Sequence, residues 1–170
     1  MKIKMILAVL ILIMVSGCYL VPRSEIRADK FIAPIKIERA ALLVQTTADA
    51  TEEEMQILRG YLISELESIP LEITNGDYND EQAIILVNIA EIKRVGFWER
   101  FGGGFTVARA SVNMRVSINR EGKEIGVFHI TGESSRTGPG GTTQTALKMA
   151  AKAIKKQLLV FIASKKEALQ

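Results

Sequence analysis

Apolar residues recur at helical spacing twice in the chain, at Met55, Leu58, Leu62, Leu66 and Ile69, and again at Leu147, Ala150, Ala151, Ile154, Leu158 and Phe161. Spacings of three and four put each set on one stripe of a helix, so both segments are expected to lay that stripe on a core. The first helix has a marked start. Thr51 followed by Glu54 makes a capping box, and Glu52, Glu53 and Glu54 put negative charge where the helix dipole favours it. Pro70 is expected to stop it. The second begins near Thr142 or Thr143, after the Gly138-Pro139-Gly140-Gly141 break, and carries Lys148, Lys152, Lys155 and Lys156 on its opposing face.

Elsewhere the period falls to two or disappears. Ala40 to Thr46 is an apolar run of strand length, and Leu71 to Thr74, Ala83 to Arg94, Gly104 to Asn119 and Lys123 to Glu133 read as extended. Ala83 to Arg94 is apolar on both parities through Ile89, which predicts a central strand covered on both sides. In the next strand Ala108, Ala110, Val112, Met114, Val116 and Ile118 share one parity, while Arg109, Ser111, Asn113, Arg115 and Ser117 share the other. That alternation predicts a half-buried strand, and its length predicts a bulge. Asn119-Arg120-Glu121-Gly122 is expected to turn it into a hairpin with the last strand. The order of elements predicts an α/β fold of the α+β type: a mixed, mainly antiparallel sheet with two amphipathic helices packed on one face, in two layers.

The organisation along the chain follows. Residues 1–17 read as a signal peptide, 18–39 as an N-terminal tether with a short strand at Phe31 to Ile37, 40–163 as a single domain, and 164–170 as a polar tail. Pro22, Arg23, Ser24, Asp29, Lys30 and Pro34 break any period in the tether. At the start, Lys2 and Lys4 precede an unbroken apolar run of 11 residues, Met5 to Val15, followed by Ser16, Gly17 and Cys18. This is the layout of a secretory signal, and the run is short of the roughly 20 residues that span a bilayer as a helix.

Val15-Ser16-Gly17-Cys18 resembles the lipobox of bacterial lipoproteins. The resemblance implies a diacylglycerol thioether on Cys18, cleavage just before it, and anchoring to a membrane through acyl chains. Two or more chains on one residue anchor stably where one is marginal. Tyr19 stands where an aspartate would mark inner-membrane retention, so the resemblance implies the periplasmic face of the outer membrane if the source is Gram-negative. The stretch from Phe97 to Ser135, with the glycine turn and the lysine-rich helix after it, also resembles the bacterial lipoprotein family of domain of unknown function 4410. Gly102, Gly103, Gly104 and Arg109 match its first motif and Gly138 to Gly141, including Gly140, its second. That family has no assigned activity.

Composition narrows the chemistry. Lys and Arg total 22 against 19 Asp and Glu. With Lys2 and Lys4 removed in the signal, the mature chain is nearly neutral, which argues against a nucleic-acid binder. One Cys and one His exclude an internal disulfide and a self-contained Cys/His zinc cluster, and no cofactor is expected. His129 lies on the parity of Val127 and Thr131, with no motif to place a nucleophile beside it, and reads as an incidental strand residue. Glu52 to Glu54 read as helix capping, and Asp77, Asp80 and Glu81 as a solvated turn. The glycine run at 102–104 lacks the Lys and Ser or Thr of a phosphate loop. Around it Phe97, Trp98 and Phe101 flank Arg100, the composition of a partner-binding patch or of packing beneath a loop. The expected function is a non-catalytic binding or assembly module of the cell envelope, with Trp98, Arg100, Phe101 and Arg109 as its recognition residues. The partner would be another envelope protein or a wall polymer. The rivals are a small envelope hydrolase and a self-assembling structural subunit.

Overall fold

A computed structural model describes residues 22–31, 37–74, 82–96, 109–135 and 142–163. Six strands and two helices follow in the order β1 (Arg23–Phe31), β2 (Arg39–Thr46), α1 (Glu52–Leu66), β3 (Glu72–Thr74), β4 (Ala83–Lys93), β5 (Ser111–Arg120), β6 (Lys123–Glu133) and α2 (Thr143–Ala163). They form one mixed sheet in the order β1-β6-β5-β4-β2-β3. The pairs β1/β6, β6/β5 and β5/β4 are antiparallel, and β4/β2 and β2/β3 are parallel. The expected α+β architecture is therefore the observed one.

The helices share the face of Phe128 and Ile130. Leu58, Leu62 and Leu66 of α1 and Leu147, Ala150, Ala151, Ile154, Leu158 and Phe161 of α2 are buried in one cluster with Leu42, Ile85, Val87, Ile89, Val112, Met114, Val116 and Ile118. The capping box forms as the sequence predicts: Glu54 donates its amide to Thr51 Oγ1 at 3.2 Å, and the Thr51 amide donates to Glu54 Oε2 at 2.9 Å. Helix α1 stops at Leu66, four residues before Pro70, and Ile69 joins the core from beyond its end. At the start of α2 the Thr145 amide donates to Thr142 Oγ1 at 3.1 Å.

Three expectations are corrected. The segment read as a tether contributes the edge strand β1 at Arg23–Phe31, and most of the short strand expected at Phe31 to Ile37 lies outside the described residues. Its pairing with β6 is a tertiary outcome that a run broken by charges does not advertise. Strand β4 is central, but the helices cover one face only; on the other, Ile84, Leu86 and Asn88 are half-buried. Lys155, expected on the face of α2 opposite its apolar stripe, is half-buried and pairs with Glu65 of α1 at 3.1 Å.

Glu121 and Gly122, with φ of 53° and 71°, form the two-residue β5–β6 connection. Positive φ at both positions fits the twist of a hairpin, and the second is a glycine. Gly132 has a different task. A Cβ there would lie 2.3 Å from the Ala146 carbonyl oxygen and 2.8 Å from the Ala150 nitrogen, so glycine lets the backbone of α2 seat directly on β6.

Candidate interaction face

The register of the antiparallel strands aligns the side chains of the helix-free face in transverse rows, because directly opposed residues point the same way. One row runs Arg27, His129, Arg115, Asn88 and Gln45 across β1, β6, β5, β4 and β2. The next runs Glu25, Thr131, Asn113 and Glu91, and a third Arg23, Glu133, Ser111 and Lys93. Polar residues at alternate positions of β5 from Ser111 to Asn119, and at His129, Thr131 and Glu133 of β6, produce this surface by the same alternation that fills the core.

Hydrogen bonds organise the rows. Thr131 Oγ1 donates to Asn113 Oδ1 at 2.8 Å, and Asn113 Nδ2 donates to Glu91 Oε2 at 2.6 Å, tying three strands together. Arg115 pairs with Glu124 at 2.9 Å. Beside this network is a shallow concavity of about 460 Å³, with Arg27, Ala90, Asn113, His129 and Thr131 among its lining residues. His129 is exposed there, on the parity that the alternation predicts.

Glu133 is the electrostatic focus of the face. Its Oε2 accepts from Arg23 Nε at 2.6 Å and from Arg109 Nη1 at 2.9 Å. Burial pushes the carboxyl up, but hydrogen bonds and charge from the two guanidiniums outweigh it and hold the group below the ordinary value of 4.5. Arg109, read as a recognition residue, has a side chain only 10% exposed and clamps the start of β5 to the end of β6. The Ala110 amide donates to Ser134 Oγ at 3.0 Å in the same place. A second clamp lies at the end of β4, where Arg94 grips Glu54 with Nε at 2.9 Å and Nη2 at 2.6 Å and also bonds the Asp49 carbonyl. The Arg94 hydrogen bond chiefly holds Glu54 below its ordinary value, against a smaller opposing effect of burial.

Cys18, Trp98, Arg100, Phe101, Gly102, Gly103, Gly104, Gly138, Gly140 and Gly141 lie outside the described residues, as do Asp77, Asp80 and Glu81. Arg109 is thus the sequence-chosen residue that this geometry places. The Thr131-Asn113-Glu91 chain and the Arg94 clamp were not singled out from sequence. Parity put Asn113 and Thr131 on the polar faces, but their pairing needs the strand register. Among the described residues no cluster of His, Cys, Asp and Glu has metal-binding geometry, and no helix is long and apolar enough to cross a membrane.

No protein-family model matches the chain, so the likeness to the lipoprotein family rests on its motifs. No curated protein matches either. Among solved structures, a dodecamer of a PelC variant from Paraburkholderia phytofirmans is similar at a TM-score of 0.49 and 11% identity, covering 78% of this chain and 95% of that one. Rare lipoprotein B from Shewanella oneidensis is similar at a TM-score of 0.38 and 14% identity, covering 76% and 98%. At such values the likeness is one of general outline and assigns this chain no activity, partner or assembly state.

Proposed function

We propose that this chain is a lipid-anchored envelope lipoprotein whose α/β domain binds another envelope component without transforming it. The observation that carries the reading is the order Lys2 and Lys4, the apolar run Met5 to Val15, then Ser16-Gly17-Cys18. Acyl chains on Cys18 supply the membrane affinity, at about 0.8 kcal/mol per buried methylene. The recognition element is the β4–β5 connection, with Trp98, Arg100 and Phe101. Both of its flanks are fixed to the scaffold, by Arg94 on Glu54 and by Arg109 on Glu133. A binding loop held at both ends by a rigid sheet is a common way to present aromatic anchors. The partner belongs to the envelope, as a protein or a wall polymer.

Metabolic labelling with a palmitate analogue tests the anchor. The native chain is expected to take up label and to appear as a processed form. Cys18→Ser is expected to lose the label and accumulate as precursor; normal processing of that variant refutes the lipoprotein reading.

A further inference from the structure

Helix α2 has four lysines and no acidic residue between Thr143 and Ala163. Lys155 is engaged by Glu65, whereas Lys148, Lys152 and Lys156 are exposed at intervals of four, one above another on the helix. The line continues to Val160, a large apolar side chain 54% exposed. The neighbouring α1 has the opposite character at its first turn, where Glu52 and Glu53 are exposed. The basic surface is therefore a property of α2 and not of the helix layer as a whole.

Topology places the start of β1 close to the sheet-facing side of α2, the helix that carries the stripe on its outer side. Ser24 of β1 pairs with Gly132 of β6, and Gly132 sits under Ala146 and Ala150 of α2. Strand β1 starts at Arg23, five residues after Cys18. Five extended residues reach at most about 17 Å. A helix with its side chains is about 10–12 Å across, so that reach suffices to bring an anchor at Cys18 level with the outer surface of α2. A tether of the length read from sequence would allow the domain to turn freely, whereas five residues from Cys18 to Arg23 leave it little reach.

We infer that Lys148, Lys152 and Lys156 dock the domain on anionic phospholipid headgroups of the bilayer that holds the acyl chains, with Val160 at the headgroup boundary. The inference rests on the proposed lipid anchor. Each lysine near an anionic surface adds modestly to the attraction, and the anchor supplies the local concentration that makes three of them effective.

The test uses the native acylated chain reconstituted in phosphatidylethanolamine vesicles with or without phosphatidylglycerol. Lysines are acetylated with an amine-reactive ester, and each site is followed by mass spectrometry. Lys148, Lys152 and Lys156 are expected to react about five-fold more slowly in the anionic vesicles than in the neutral ones. Lys123, exposed at the β5–β6 hairpin, is expected to react equally in both. Equal rates at the three α2 sites in a chain that floats with the vesicles overturn the docking and leave the lipid anchor standing. A chain that does not float overturns the anchor as well. Equal protection by soluble polyphosphate in neutral vesicles assigns the stripe to polyanions in general and overturns the assignment to lipid.

Discussion

On one side of β5 and β6, Val112, Val116 and Phe128 have no exposed surface and Met114 and Ile130 have 1%. On the other, Arg115 and His129 stand in solvent on residues adjacent to those in the chain. The backbone is common to both faces, so the difference lies in what each face is asked to meet. The covered face tolerates little change of volume, because it is packed against helices at close range. Apart from Ser117 and Val127, which are buried on it, the helix-free face is held by ion pairs and hydrogen bonds between side chains, which can be exchanged at smaller cost. Function is therefore free to vary on the second face and at its rims without threatening the first.

The comparison is broken most severely at Gly132. Gly132→Val is expected to push α2 off the sheet and to cost more than about 4 kcal/mol, with loss of a cooperative thermal transition in circular dichroism. Phe128→Ala, on the same face, should destabilise by about 3–5 kcal/mol in chemical denaturation without changing the fold.

On the helix-free face, Glu133→Gln is expected to cost about 1–3 kcal/mol, since it removes the carboxylate charge that both Arg23 and Arg109 meet. The same residue sharpens the contrast through pH. Glu133 and Glu54 titrate below their ordinary value of 4.5 in the folded chain, so the stability they add is present above that value and drains away as pH falls through their lower folded values. The melting temperature should decline below about pH 4.5, and Glu133→Gln should flatten part of that decline. The smallest effect belongs to His129→Ala, expected within about 0.5 kcal/mol of the parent in the same denaturation assay. A larger loss there would show that the uncovered face also carries structural weight.

Much of the fold was legible because period and caps are local. The Thr51–Glu54 box, the α2 stripe and the alternation along β5 each reach the reader within a few residues and were confirmed where expected. Strand β1 was not legible. Arg23, Glu25, Arg27 and Asp29 share one parity and Ser24, Ile26 and Ala28 the other. With Ile26 as the one large apolar residue on that second parity, the alternation carries little hydrophobic signal, and the open edge of β6 makes the segment a strand. The same limit applies to Arg109 and Arg94. Sequence marks Arg109 beside a glycine motif and gives Arg94 no mark, and which carboxylate each meets depends on contacts 24 and 40 residues away.

The chain by itself determined the element types, the two helix faces and the parity of the sheet, since all of these follow from neighbours at short spacing. Tertiary structure alone decided that β1 joins the sheet at its edge, that Gly132 seats α2, and that Lys155 is drawn to Glu65. Those outcomes depend on pairing between distant segments, where burial and charge are settled only once the layers meet.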